Sequence, residues 1–355
     1  MRRVAALALP LLAACSRWQN AVVPAGPQAA RIDGLTNFMT AIAVAVTVVI
    51  WLLIIVTVAR GRRRRAAGEP ADESPGTERT MAGAIGAGVA VSAVVLFVFL
   101  VVAVRTGRAL DAFGGERDAR GTQHAPLGGA HRGAAAPLVV EVTGHQWWWE
   151  VTYRDTAPSR RVVTANEIHI PVGRPVHVYS KSTDVIHSFW VPNLHGKKDM
   201  IPGYTNDTWI QADSAGVYRG QCGEYCGYQH AHMALIVTAE PEAAFEQWYA
   251  NQLAPAAPTS SDSSVRRGHE VFVSSSCIMC HAVAGDSLAG SNVGPDLTHF
   301  ASRPTIAAGT LPNTRGHLAG WIIDPQRIKP GAQMPPNSLS PADLNALLDY
   351  LRSLK

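Results

Sequence analysis

Two long stretches without a charged residue do most to limit what this chain can fold into. Residues 35–59 read LTNFMTAIAVAVTVVIWLLIIVTVA and residues 80–104 read TMAGAIGAGVAVSAVVLFVFLVVAV. Coiled as helices, both are long enough to cross a hydrocarbon layer about 30 Å thick. A buried core helix is a poor account of two uninterrupted 25-residue runs. The pattern predicts a transmembrane hairpin over 35–105, with spans 35–59 and 80–104. Between the spans, Arg60, Arg62, Arg63, Arg64 and Arg65 crowd against the first. Short basic loops stay on the cytoplasmic side. Everything after Arg105 is therefore expected on the outer face.

The amino terminus agrees with this topology. MRRVAALALPLLAAC has two arginines, a short apolar stretch and small residues, the pattern of an export signal over 1–15. Its ending, Leu12-Ala13-Ala14-Cys15, resembles a bacterial lipoprotein signal, which implies lipidation of Cys15. Apolar residues make up 47% of the chain and charged residues 16%, which suits membrane segments joined to globular parts. The net charge of +4 gives no case for a nucleic-acid partner.

Residues 106–137 are rich in Gly, Ala and Arg and read as an irregular connection. From Leu138 short strand-like runs begin: LVVEVTGHQWWWEVTY, EIHIPVGRPVHVYSKS, TWIQAD and ALIVTA. Gly, Pro and Asp punctuate them, which predicts an all-β sandwich or barrel over 138–253. PEAAFEQWYANQL reads as a helix closing it. Residues 254–264 form a Pro/Ser linker. Residues 265–355 look helical and end in SPADLNALLDYLRSL, with Ser340 as N-cap, Asp343 at the capping-box position and leucines 344, 347, 348 and 351 on one face.

The five cysteines are Cys15, Cys222, Cys226, Cys277 and Cys280, an odd count that points to site chemistry rather than a disulfide scaffold. Cys277-Ile278-Met279-Cys280-His281 is the attachment pattern for covalent haem c, with His281 as iron ligand. Around it, GPDL at 294–297 and GAQMPP at 331–336 resemble the proline loop and distal-ligand loop of class I cytochromes c. That resemblance implies an all-α domain over 265–355 with Met334 as second axial ligand. Methionine ligation raises the haem potential.

CGEYCGYQHAHM, residues 222–233, is read first on its residues alone. Cys222 and Cys226 supply half of a zinc pattern, but no second pair follows and methionine is not a zinc ligand. A disulfide suits an exported loop and leaves His230 and Met233 without a role. Thiolate, imidazole and thioether together favour copper. His187, in STDVIHSFWVP upstream, offers a further imidazole.

Taken together, the apolar hairpin, GHQWWWEVTY, DVIHSFWVP, KDMIPG and CGEYCGYQHAHM resemble subunit II of cytochrome c oxidases over residues 30–253. The attached haem domain makes the whole similar to the caa type. The resemblance implies a cupredoxin-like Greek-key domain with a dinuclear copper site, CuA. Cys222 and Cys226 would bridge the metals, with His187, His230, Met233 and the backbone carbonyl of Glu224 completing the set. It further implies magnesium shared with subunit I at the Glu224 carboxylate, Trp147 as the point where electrons enter, and Glu78 beside the mouth of a proton path. If strand alternation holds, Trp147 and Trp149 share one face and Trp148 the other; the haem domain would cover Trp147. His145, His169, His177, His195 and His232 are read as non-ligating.

Two positions depart from the family pattern. Tyr204 stands where an arginine is usual after IPG, and the Trp and Pro that usually follow the Glu78 position are missing. No set of residues for an oxygen-reducing centre is present. The expected role is to pass electrons from a donor, either a cytochrome c or a quinol–cytochrome c reductase complex, through haem c and CuA to subunit I. There oxygen reduction would drive proton translocation, with other oxidase subunits present. The expected location is the bacterial inner membrane, with both soluble domains on its periplasmic face. Alternatives of the same chemistry are the CuA subunit of a nitric oxide reductase, or a membrane-tethered electron shuttle.

Overall fold

A computed structural model describes residues 19–68, 75–110, 116–117, 123–124, 138–256 and 261–355. The export signal 1–15 with Cys15, and residues 257–260 of the linker, lie outside the described residues. The chain divides into two units, Ala30–Phe113 and the remainder.

The first unit is built by helices α1, Pro27–Ala66, and α2, Pro75–Leu110. Both run past the uncharged stretches at each end. At 1.5 Å per residue each is about 55–60 Å long, roughly twice a hydrocarbon core. α1 continues through Arg60–Arg65 because arginine is a good helix former and its cationic side chains suit a helix C-terminus. The basic cluster predicted as interhelical loop is thus the last turns of a helix. Phe38 meets Phe99 edge-on at 5.9 Å, and Arg31 donates to the carbonyl of Ala109, so the two helices pair. Their apolar side chains, Trp51, Leu53, Phe97 and Leu100 among them, are exposed. Helices this long and apolar with no protein cover suggest a membrane anchor.

In the second unit, ten strands build an all-β domain: β1 Leu138–His145, β2 Trp148–Arg154, β3 Val162–Ala165, β4 Glu167–Pro171, β5 Val176–Ser182, β6 His187–Phe189, β7 Lys198–Met200, β8 Asn206–Ile210, β9 Gly216–Gln221 and β10 Ala234–Glu240. One sheet has the order β8-β5-β1-β2-β3 and another β9-β10-β4, with β6 and β7 paired separately. β1 and β5 run parallel, as do β10 and β4; the other pairs are antiparallel. Strand β2 shows why: Trp149, Val151 and Tyr153 alternate into the core, with more exposed residues between them. Ile168, Phe189, Leu194, Ile210 and Leu235 fill the same core, and Phe245 of helix α3, Glu242–Leu253, closes it.

The carboxy-terminal region packs helices α4 Ser263–Ser274, α5 Arg315–Ile323, α6 Pro325–Ile328 and α7 Pro341–Ser353. Each starts on a side-chain cap: Asp262 accepts from Ser264 N, Thr314 from His317 N, Asp324 from Arg327 N and Ser340 from Asp343 N. Asp343 answers the Ser340 hydroxyl at 2.9 Å, close to the expected capping box. Leu347, Leu348 and Leu351 enter a core with Phe272, Leu318 and Ile322. The beginning of the linker is held down, since His299 Nε2 contacts the Ala254 carbonyl at 3.1 Å and Ala256 N donates to Ala284 O at 2.8 Å.

Candidate functional site

The loop 222–233 joins antiparallel strands β9 and β10, whose register brings its two ends together. Cys222 N donates to Met233 O at 2.9 Å and closes the base of the loop. Gly223 N donates to Ser188 O at 2.9 Å, fastening the loop to β6, the strand that begins with His187. A local turn and a strand 35 residues upstream are thereby assembled at one place.

The side chains converge. His187 Nδ1 lies 3.8 Å from Cys222 Sγ, His230 Nδ1 3.6 Å from Cys226 Sγ, and Met233 Sδ 3.9 Å from Cys226 Sγ. The carbonyl oxygen of Glu224 is 3.1 Å from Cys222 Sγ. One donor atom each from His187, Cys222 and Cys226 fall within 4.8 Å of one another. Cys222, Cys226, His187 and Met233 are buried, and all four described cysteines are free thiols. The disulfide reading of the loop is therefore not met.

The Cys226 thiol beside Cys222 is the main reason Cys222 ionises far more readily than an ordinary cysteine; burial opposes this and His187 adds to it. The Cys222 charge in turn pushes Cys226 strongly the other way, and burial reinforces it. Two buried thiols sharing one proton, ringed by imidazoles and a thioether, fit a soft metal, and a bound cation would deprotonate both. Asp184 holds the geometry. Its carboxylate is 2.8 Å from His187 Nε2 and accepts from Gln146 N and Val185 N, both at 2.6 Å. With Nε2 so engaged, Nδ1 is the nitrogen left for a metal.

Trp147 is not in the strand, contrary to the alternation expected of it. It sits in the turn between β1 and β2, so its side chain follows the turn and not the pleat. It is only 9% exposed, and its indole Nε1 donates to the carbonyl of Cys226 at 3.0 Å. Gln146 Nε2 donates to the same carbonyl at 2.8 Å. Gly227, at φ +111°, lets this turn pass close: an added Cβ would lie 3.2 Å from the Trp147 ring and in a backbone region disfavoured for L-residues.

On its other side Trp147 lines a cavity of about 360 Å³ in which Cys277, Cys280, His281 and Met334 also take part. His281 Nδ1 contacts the Pro295 carbonyl at 2.7 Å, which leaves Nε2 for an axial bond. Burial lowers the His281 pKa and favours the neutral imidazole that a metal needs. Paired thiols, imidazole and thioether around one largely apolar cavity fit a haem.

The remaining expected site residues stand apart. Glu78 is an exposed residue in the first turn of α2. The Glu224 side chain, on the copper-type loop, and Tyr204 are exposed. His232 turns to Gln229 Oε1 at 2.7 Å, away from the thiols.

The family profile for the cytochrome c oxidase subunit II periplasmic domain matches residues 138–240, and that for cytochrome c matches residues 265–355. Residues 138–240 are thus similar to a subunit II periplasmic domain and residues 265–355 to cytochrome c. Three proteins named cytochrome c oxidase subunit 2 are similar to this chain. That of Alkalihalophilus pseudofirmus is 40% identical over 61% of this chain and 61% of its own length. That of Bacillus sp. PS3 is 33% identical over 61% and 62%, and that of Bacillus subtilis 32% identical over 65% and 66%. The chain thus spans somewhat under two thirds of these relatives. A subunit II domain implies copper, and a cytochrome c domain implies haem.

Proposed function

We propose that this chain is the electron-receiving subunit of a respiratory haem–copper oxidase of the bacterial inner membrane. The observation that carries the reading is Trp147, hydrogen-bonded to Cys226 on one side and lining the haem-type cavity on the other. Cys277 and Cys280 would attach haem covalently, with His281 and Met334 as its further ligands. Cys222, Cys226, His187, His230, Met233 and the Glu224 carbonyl would hold a copper pair. Copper bound there would supply a one-electron centre.

The protein keeps that centre dry and rigid. Its ligands sit on a short loop closed at both ends by strands and, for His187, on the strand β6 fastened to that loop, so little needs to move when an electron arrives. Tyr225, 74% exposed, and Tyr228, 89% exposed, flank Cys226 and offer an apolar face to a partner subunit, where the Glu224 carboxylate would share magnesium. Electrons leave through that face to a subunit that reduces oxygen and translocates protons. Their donor is a cytochrome c or a quinol–cytochrome c reductase complex. The hairpin α1–α2 anchors the chain with both soluble domains outside, Cys15 adds a lipid anchor, and Glu78 stands at the mouth of a proton path.

Turnover of the purified complex separates the acceptors. The reading predicts oxygen consumption driven by a reduced donor, with a near-infrared copper band and a c-type haem spectrum in this subunit. Turnover of nitric oxide without oxygen consumption would instead assign it to a nitric oxide reductase. Purification as a lone chain with no haem–copper partner would make it a tethered shuttle.

A further inference from the structure

Lys329 is the one lysine among the described residues that is buried, with 2% exposure. Its Nζ donates to three backbone carbonyls: Trp147 at 2.7 Å, His232 at 2.8 Å and Ala307 at 3.1 Å. An ammonium has three N–H donors, and here three acceptors meet them. Two of the carbonyls belong to the copper-type domain and one to the haem-type domain.

The position in the chain adds to the argument. Lys329 ends helix α6, its own N–H bonded to Pro325 O at 2.8 Å. Next to it, Pro330 O accepts from Gln229 Nε2 at 2.7 Å, and Gln229 lies in the loop that carries His230. Gly331 packs so closely that an added Cβ would be 3.3 Å from the Trp147 ring. Gln326 then binds the carbonyls of Ala332 and Met334, at 2.6 and 2.9 Å. One hydrogen-bonded segment therefore runs from the candidate haem ligand Met334 to the carbonyl of Trp147.

We propose that Lys329 is the positioning residue that pins the haem domain onto the copper domain, with Trp147 as the wall common to both sites. The proposal rests on the reading that electrons pass from haem to copper. In that step one electron leaves the iron and one arrives at the copper pair, and no bond on this chain forms or breaks. Lys329 lines the haem-type cavity beside Trp147 but is a ligand of neither centre; it fixes the gap, on which the transfer rate depends steeply. Two further contacts seal the same face: Ala234 N donates to Ala308 O at 3.0 Å, and Arg303 lies 3.6 Å from the Glu167 carboxylate, both side chains 7% exposed. Burial works against the lysine charge and pushes its pKa down to about 7, with Cys226 acting in the opposite sense. An apolar residue would fill this space without that cost. What the ammonium adds is direction, because three carbonyls accept it in one register only.

Two measurements test the clamp. In the full-length chain carrying both cofactors, a water-soluble acetylating reagent followed by peptide mass spectrometry should modify the exposed Lys355 and leave Lys329 untouched. Equal modification of the two overturns the proposal, whatever the variants do. In the Lys329→Met chain, both absorption spectra should stay as in the unmodified sequence, while haem-to-copper transfer after photoreduction slows about tenfold or more. Lys329→Arg, which keeps charge and donors, should retain more of the rate than Lys329→Met. An unchanged rate in Lys329→Met contradicts the proposal. If the unsubstituted chain passes no electron from haem to copper, the functional reading fails, and the labelling result still decides whether the clamp exists.

Discussion

At the scale of single residues, the metal-type site depends on groups of two kinds. Cysteine, histidine and methionine at close spacing announce themselves, because few other roles gather soft donors into twelve residues. Asp184 does not. It lies within the motif that contains His187, yet a lone carboxylate in a strand-rich sequence has many ordinary uses. Its role emerges only when folding puts it 2.8 Å from His187 Nε2. Burial works to raise its pKa, and the bonds from His187, Val185 N and Gln146 N outweigh this and hold it below the ordinary value. Such a partner fixes the tautomer and orientation of a metal-binding histidine. Asp184→Asn should therefore lower copper affinity by about tenfold or more while leaving the fold intact. Titration of copper into the metal-free chain checks this; an unchanged affinity would mean that the loop orients His187 unaided.

At the scale of elements, periodicity was a sound guide where one face meets a core and a poor one where a turn intervenes. Trp149 follows the alternation of β2, whereas Trp147 precedes the strand and is placed by the turn. The length of α1 escaped the hydropathy pattern for a related reason. Helix formation continues through arginines in water, so the end of an apolar run does not end the helix. Helices α4 and α7 show a third case. Gly268 reads from sequence only as a weak helix former. In the fold an added Cβ there would stand 2.0 Å from the carbonyl oxygen of Ala346, so the two backbones cross at this point. Gly268→Ala should force the helices apart and destabilise the carboxy-terminal domain by about 1–3 kcal/mol. Thermal unfolding followed by helical circular dichroism and haem absorbance would register this as a lower midpoint. An unchanged midpoint would mean that the crossing relaxes freely.

At the scale of the whole molecule, the apolar hairpin, the strand-rich domain and the helical carboxy-terminal domain were legible, since each leaves a compositional trace. How the last two soluble domains meet was not. Their contact is made largely through backbone carbonyls, which every residue has, and through Lys329, whose burial has no local signature. Gly331 and Gln229 were equally silent for the same reason. On the proposed reading, a donor and an acceptor are built into one chain, with Trp147 between them, in place of two proteins that meet by diffusion. Transient absorption on the full-length chain carrying both cofactors tests this most directly. After photoreduction of the haem, its reoxidation should be matched electron for electron by loss of the near-infrared copper band, at a rate independent of protein concentration. A haem that stays reduced beside an unchanged copper band, or a rate that rises with concentration, would contradict the account.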